Sequence, residues 1–108
     1  MKHPAAARRE ACSERPAADD DLLEIVSFLL GGSDRAAVRF LDALDAAGAR
    51  IARHPGIGRP RPDLPEPGVR SYLVAEHWVV FYVETANVVE VRRIVNARRD
   101  LRALRLRD

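Results

Sequence analysis

Apolar residues recur at spacings of three and four positions in two successive stretches, which predicts two amphipathic helices. The first starts near Ala17 and ends at Gly31–Gly32, because glycine accepts the left-handed conformation that closes many helices. Ser33 is placed to cap the second helix, and His54–Gly56 ends it. The short connection predicts an antiparallel αα-hairpin. The apolar stripes comprise Leu22, Ile25, Val26, Leu29 and Leu30, then Ala37, Phe40, Leu41, Leu44, Ala47, Gly48 and Ile51.

Three runs rich in aromatic and β-branched residues follow a proline- and glycine-rich loop at 55–68, and they predict β-strands. The runs cover 69–75, 78–83 and 88–95, and hairpin-length connections between them predict an antiparallel meander. The middle run, WVVFYV, is apolar on both faces and should be the most buried. The predicted fold class is therefore α+β, with the αα-hairpin packed on a three- to four-stranded antiparallel sheet.

The two ends of the chain are patterned less clearly. Residues 1–15 form a lead in which Arg9–Glu14 suits either a short edge strand or no regular structure. Residues 16–108 are predicted to form a single domain. Within it, Ala97–Leu106 has the pattern of a short basic C-terminal helix or tail.

Charge is distributed unevenly along a chain of 108 residues with a formal net charge of +2. Acidic residues are frequent early, and the run Asp19–Asp21 is predicted to form a solvated first turn favoured by the helix dipole. Lys2 is the only lysine, and arginine binds phosphate or carboxylate through a planar fork. A basic C-terminal end suggests either an anionic partner or a solvated tail. The late arginines are Arg92, Arg93, Arg98, Arg99, Arg102, Arg105 and Arg107.

Several classes of protein are disfavoured by what the chain contains. A single cysteine, Cys12, permits no intrachain disulfide, and no apolar run approaches the ~20 residues of a membrane span. Lys2 and the early arginines are followed by no apolar signal region, so we expect a cytoplasmic protein. The three histidines lack the spacing of metal ligands, so we expect no metal site. We also expect no cofactor.

Four ordered segments resemble the ParE branch of the ParE/RelE toxins, a family of type II toxin–antitoxin systems. They are DLLEIVSFL, ARHPGIGRPRPDL, GVRSYLVAEHWVVFYV and VVEVRRIVNARRDLRAL, and the resemblance covers Ala17 to Leu104. It implies a ParD-like antitoxin whose acidic C-terminal segment wraps and blocks the toxin. It also implies hetero-oligomers that bind their own promoter DNA through the antitoxin. ParE-like members poison DNA gyrase, whereas RelE-like members cleave mRNA on the ribosome.

The residues present favour the ParE-like branch, although the chain's status as an enzyme stays open. RelE-like ribonucleases resemble one another in using lysines and arginines, with a tyrosine or histidine near the C-terminus. Here Arg70 and Arg93 match two such arginines, and Asn96 replaces the usual histidine. A neutral amide cannot exchange protons near pH 7. The favoured hypothesis is a non-catalytic gyrase inhibitor whose target-binding residues are Arg93, Asn96, Arg98, Arg99 and Arg102.

Two other functions stay open: a RelE-like mRNA endonuclease built on Arg70 and Arg93, and a regulatory binding protein without intrinsic toxicity. Structural roles for these arginines are also open. Strand alternation places Arg93 on one face with Val91 and Val95, where it can pair with a carboxylate. Arg70 stands at a strand entry, within reach of a carboxylate in the preceding loop, either Glu66 or Asp63.

Overall fold

The computed structural model describes residues 16–86 and 88–98, and the backbone of residues 12–14. Two helices and a sheet form in the predicted order. The bounds are β1 Cys12–Glu14, α1 Pro16–Gly32, α2 Asp34–Arg53, a 3-10 turn Pro55–Ile57, β2 Arg59–Pro60, β3 Arg70–Val74, β4 Trp78–Thr85 and β5 Val88–Asn96.

The sheet has the strand order β1-β5-β4-β3-β2. Strands β2 to β5 pair antiparallel, so the predicted α+β class, with an αα-hairpin on an antiparallel sheet, is confirmed. The parallel pairing of β1 with β5, from Cys12↔Val89 to Glu14↔Val91, was not predicted. Of the predicted C-terminal helix or tail Ala97–Leu106, residues 99–106 lie outside the described part of the chain.

The turn between the helices differs from the predicted one. Neither glycine of Gly31–Gly32 has a positive φ, so the predicted left-handed cap is wrong. The N–H of Ser33 still donates to the Leu29 carbonyl at 2.8 Å, and Ser33 then takes an extended conformation. Its hydroxyl caps α2 as predicted, accepting from the N–H of Ala36 at 3.2 Å. One extended residue is therefore enough to separate the two helices.

The core has two layers, one on each face of the sheet. The helix-side layer joins the hairpin to the sheet, while the opposite layer is covered by Leu64 of the proline-rich loop. Strand β4 contributes to both layers and is almost wholly buried, as its WVVFYV pattern predicted. Two members of the predicted stripes, Leu30 and Leu41, are exposed, so that part of the prediction is wrong. The helix-side layer contains Ala18, Ile25, Phe40, Ala47, Val74, Trp78, Val80, Val91 and Ile94.

A β-bulge interrupts β5 at its two central arginines. Phe81 pairs with Arg93, whereas the next residue of β4, Tyr82, pairs with Val91, which leaves Arg92 as the extra residue. Val91 consequently belongs to the helix-side layer, and Val95 belongs to the opposite one. The expectation that Arg93 shares a face with both valines is wrong, because the extra residue breaks the alternation of side chains.

The β3–β4 turn holds two non-glycine residues in the left-handed region, Ala75 with φ 50° and Glu76 with φ 74°. An L-residue is less stable than glycine in this conformation. We therefore expect Glu76→Gly to raise the free energy of unfolding by about 0.5–1 kcal/mol, measured by urea denaturation. Glu84→Gly, at an exposed β4 position, should instead lower it. A loss of stability in Glu76→Gly would contradict the assigned turn conformation.

Candidate functional site

The arginine at the bulge is tied to the first helix. The guanidinium of Arg93 donates to both carboxylate oxygens of Asp21, with Nε–Oδ2 at 2.7 Å and Nη2–Oδ1 at 3.0 Å. Asp21 is only 9% exposed, whereas the Arg93 side chain stays 37% exposed. Asp19 and Asp20 are exposed as predicted, but the prediction of a solvated turn is wrong for Asp21. Arg93 therefore combines a fixed orientation with access to solvent.

The same carboxylate also covers part of the sheet edge. The N–H of Ile94 donates to Asp21 Oδ2 at 2.9 Å. The described residues of β1 pair with β5 at Val89–Val91, and further along β5 a side chain of α1 accepts a strand N–H. Sequence spacing carried a signal for this role, because Asp21 lies three residues after Ala18 and four before Ile25, both buried. Asp21 was predicted to be solvated together with its neighbours Asp19 and Asp20, so its position on the inner face of α1 was missed.

The neighbouring Arg92 holds the proline-rich loop. Its guanidinium donates to Glu66, with the shortest contact Nη2–Oε2 at 2.7 Å, and also contacts Glu90. Hydrogen bonds to Glu66 raise the pKa of Arg92 above its ordinary value. Further along the loop, Arg61 donates to Asp63 at 2.9 Å and lies 5.4 Å from the centroid of the Phe81 ring. These contacts keep the loop over the sheet face opposite the helices.

Arg70 binds backbone rather than a carboxylate. Its Nη1 donates to the carbonyls of Gly58 at 2.8 Å and Gly56 at 3.3 Å. It does not pair with Glu66 or Asp63, since the side chains of those residues bind Arg92 and Arg61. The guanidinium thus fixes the turn that leads into β2.

The side chain of Tyr82 holds the same turn through hydrogen bonds. Its side chain is 0% exposed; its hydroxyl donates to the Pro55 carbonyl at 2.7 Å and accepts from the Gly58 N–H at 2.8 Å. A Cβ on Gly58 would lie 2.5 Å from this hydroxyl, so the glycine is required by space rather than by its φ of −74°. The glycines of the GIGR segment, residues 56–59, therefore serve a tight turn.

Tyr82→Phe should lower the free energy of unfolding by about 1–2 kcal/mol, because it leaves the Gly58 N–H without its partner. Burial raises the pKa of the Tyr82 phenol above its ordinary value of about 10. Tyr82 therefore ionises at a lower pH in the unfolded chain than in the folded protein. Its contribution to the free energy of unfolding is complete below pH ~10 and is lost as the pH rises through the folded pKa. Denaturation of the wild-type protein and of the Tyr82→Phe variant between pH 8 and pH 11 measures this alkaline loss of stability. An alkaline loss of equal size in the variant would contradict this role.

The predicted site residues do not form one cluster. Arg70 on β3 and Arg93 on β5 are separated by β4, about 10 Å between backbones, and bind different parts of the chain. Asn96 ends β5, and its Oδ1 accepts from the N–H of Arg98 at 2.9 Å. Arg98 is exposed. The remaining predicted target-binding residues, Arg99 and Arg102, lie outside the described residues.

Residues 16–86 and 88–98 lack two further features. No helix in these ranges is long and apolar enough to cross a membrane. Within the same ranges, no group of three or more His, Cys, Asp or Glu side chains is placed to hold a metal ion.

The helical hairpin on a sheet is shared with a solved toxin–antitoxin protein. A chain of the chromosomal ParDE TA system from P. aeruginosa superposes with a TM-score of 0.64, covering 82% of this chain and 97% of that one. The two are 15% identical, a level that shows a common fold. Comparison with curated protein sequences finds no significant match.

The sequence match is at the level of the family. The family model described as "ParE toxin of type II toxin-antitoxin system, parDE" matches residues 15–101. The chain therefore belongs to the ParE toxin family, and the predicted resemblance is confirmed.

Proposed function

We propose that this protein arrests growth by binding and poisoning DNA gyrase in the cytoplasm, and that a cognate antitoxin neutralises it in a hetero-oligomer. Promoter DNA is contacted only through the antitoxin in that complex. Family membership supports the toxin role. The choice of gyrase over mRNA depends on how the protein uses its arginines.

One observation carries that choice: both arginines that match a RelE-like ribonuclease are held by the protein's own groups. Arg70 donates to the Gly56 and Gly58 carbonyls, and Arg93 donates to Asp21. Arginine stays protonated near neutral pH and is a poor proton donor or acceptor. The only lysine of the chain is Lys2. These features favour a surface that binds a partner over a catalytic site that transfers protons.

The proposed binding surface is the end of β5 and the segment after it, where Arg93, Asn96, Arg98, Arg99 and Arg102 follow one another. Arg93 is oriented by Asp21 and remains partly exposed. Arg98 is exposed, and its backbone N–H is fixed by Asn96. Guanidinium groups, which stay charged, can bind carboxylates or phosphates of a large partner through paired hydrogen bonds.

The decisive experiment induces the toxin without its antitoxin and follows growth, plasmid supercoiling and mRNA integrity in the same culture. We expect arrested growth, lost supercoiling and intact transcripts. Purified toxin should also inhibit gyrase in a supercoiling assay. Transcripts cut during translation, with supercoiling unchanged, would replace this proposal with the RelE-like endonuclease. Unimpaired growth would leave a binding protein without toxicity.

Matched arginine variants test the surface. Arg98→Ala combined with Arg102→Ala should weaken gyrase inhibition about tenfold or more, because two charge-assisted contacts are lost. Arg35→Ala combined with Arg53→Ala, at two exposed positions of α2, removes the same charge; this control should change inhibition by less than about twofold. Equal effects of both changes would mean that inhibition follows total charge rather than this surface.

A further inference from the structure

The second half of α2 has an inverted order of charge about its centre. When Asp42–Arg53, with the sequence DALDAAGARIAR, is counted inward from both ends, every acidic residue matches a basic one. Every apolar or small residue matches another of its kind, and the centre lies between Ala47 and Gly48. Such a helix is complementary to a second copy of itself that runs in the opposite direction. The matched pairs are Asp42–Arg53, Ala43–Ala52, Leu44–Ile51, Asp45–Arg50, Ala46–Ala49 and Ala47–Gly48.

Four of these residues form one stripe on the solvent side of the helix. Asp42, Ala46, Ala49 and Arg53 are spaced by four, three and four positions, so they lie in a line along α2. At about 100° per residue, the line lies opposite the side that α2 buries against the sheet. Ala49 is half-buried and the other three residues are exposed. This stripe is the α2 outer face.

The two charges of the α2 outer face are available for a partner. Within residues 16–86 and 88–98, neither Asp42 nor Arg53 takes part in an ion pair or a side-chain hydrogen bond. They cannot pair with each other, because three helical turns, about 16 Å, separate them along α2. Their opposite charges therefore stand at the two ends of a stripe whose middle is formed by alanines.

We infer that the α2 outer face binds a second copy of this chain, with the two α2 helices antiparallel about a two-fold axis. Asp42 of each copy then pairs with the partner's Arg53, and Ala46 packs on the partner's Ala49. Small side chains at the contact allow the helix axes to approach to about 8 Å. The antiparallel arrangement also places the two helix dipoles in opposite directions, which is electrostatically favourable.

The other charges around the face fit this arrangement. In an antiparallel helix pair, each flank of the stripe meets the same flank of the second helix. Asp45 therefore lies nearest the partner's Ala52. On the opposite flank, Arg50 lies nearest the partner's Ala43. Arg39 faces the C-terminal end of the second helix, whose free carbonyls carry partial negative charge.

Charge decides for a second copy over other occupants. Over residues 42–53 the acidic residues stand in the first half and the basic residues in the second. A uniformly acidic or basic partner, including nucleic acid, would meet like charge along half of this segment. An antiparallel second copy meets opposite charge at both ends. One pair of helices offers less than the ~800 Å² per partner of a standard interface, so we expect a dissociation constant on the order of 10–100 µM.

The paired form leaves the proposed gyrase-binding surface open. That surface lies at the end of β5 and after it, whereas the α2 outer face points away from the sheet. Gyrase inhibition should therefore not depend on the pairing. A toxin that fails to inhibit gyrase would refute the proposed function and leave the self-association untouched.

Sedimentation equilibrium of the purified full chain, from about 1 to ~500 µM, tests the pairing. The wild-type chain should dimerise. Asp42→Arg alone, or Arg53→Asp alone, brings like charges together at both ends of the stripe and should weaken dimerisation about tenfold or more. The combined variant Asp42→Arg with Arg53→Asp restores opposite charges and should dimerise within about threefold of the wild type.

A mixture of the two single variants separates pairing from any effect on folding. Each variant supplies the charge that the other lacks, so an equimolar mixture should form a heterodimer although each protein alone stays monomeric. Arg35→Asp is the matched control for Arg53→Asp. It makes the same change of charge on the same helix but lies outside the paired segment, and should change affinity by less than about twofold.

Three outcomes would overturn the inference. A wild-type chain that is monomeric at ~500 µM has no such self-association. A dimer that both single charge reversals leave intact uses another surface, and a mixture that stays monomeric refutes the pairing of Asp42 with Arg53. If the wild type is monomeric and Arg53→Asp instead weakens binding of the adjacent gene's product, the α2 outer face belongs to that protein.

Discussion

Replacing Asp21 with alanine is expected to lower the free energy of unfolding by about 3 kcal/mol. The change removes three hydrogen bonds, two from the Arg93 guanidinium and one from the Ile94 N–H. It leaves the guanidinium beside an apolar layer without its counter-charge, and the N–H of Ile94 is buried. Arg93 keeps part of its hydration because its side chain is 37% exposed, so the lower end of the range for buried pairs applies.

The matched control for Asp21 is its neighbour Asp20, which is exposed. Asp20→Ala removes the same charge from the same helical turn and should change stability by less than about 0.5 kcal/mol. Urea denaturation followed by circular dichroism measures both variants. If the two changes cost the same, the effect comes from helix-dipole charge, and the buried ion pair contributes little.

Gly58→Ala should destabilise the protein by about 2–3 kcal/mol. The new Cβ would lie 2.5 Å from the Tyr82 hydroxyl, 2.8 Å from Cε1 and 2.9 Å from Cζ. The ring cannot move aside cheaply, because it is wholly buried and hydrogen-bonded at its tip. Either the turn shifts and the hydrogen bonds break, or the ring adopts a strained position.

Gly56→Ala provides the comparison two residues earlier in the same turn. A Cβ there meets no atom within 4 Å, so thermal denaturation should show a change within about 0.5 kcal/mol. A neutral Gly58→Ala would mean that the turn repacks around Tyr82. Large losses from both substitutions would point to backbone flexibility rather than to the contact with Tyr82.

Most of the architecture follows from local patterns along the chain. Helical spacing predicted the hairpin, and the run WVVFYV identified the central strand, because burial on both faces demands apolar residues throughout. The bulge could not be predicted in this way. At the bulge, Arg92 and Arg93 bind separate carboxylates in distant segments, Glu66 and Asp21, and no local pattern encodes those partners.

The candidate site was predictable by residue type and only partly by role. Its arginines were identified because they dominate the late part of the chain. The backbone-binding role of Arg70 and the space requirement of Gly58 depend on the close approach of a turn to Tyr82, 24 residues later than the glycine. Such tertiary contacts leave no periodic signal. The same holds for the parallel pairing of β1, whose three residues lie in a stretch with no clear sequence period.

The pairing of Asp21 with Arg93 has a consequence for synthesis of the protein on the ribosome. The two residues are 72 positions apart, and β1 likewise pairs with β5. The helical hairpin leaves the ribosome first. At that stage Asp21 still lacks Arg93, and the inner face of the hairpin still lacks the sheet. Contacts this distant in sequence slow folding. A nascent chain therefore acquires its native surface only after β5 has left the exit tunnel.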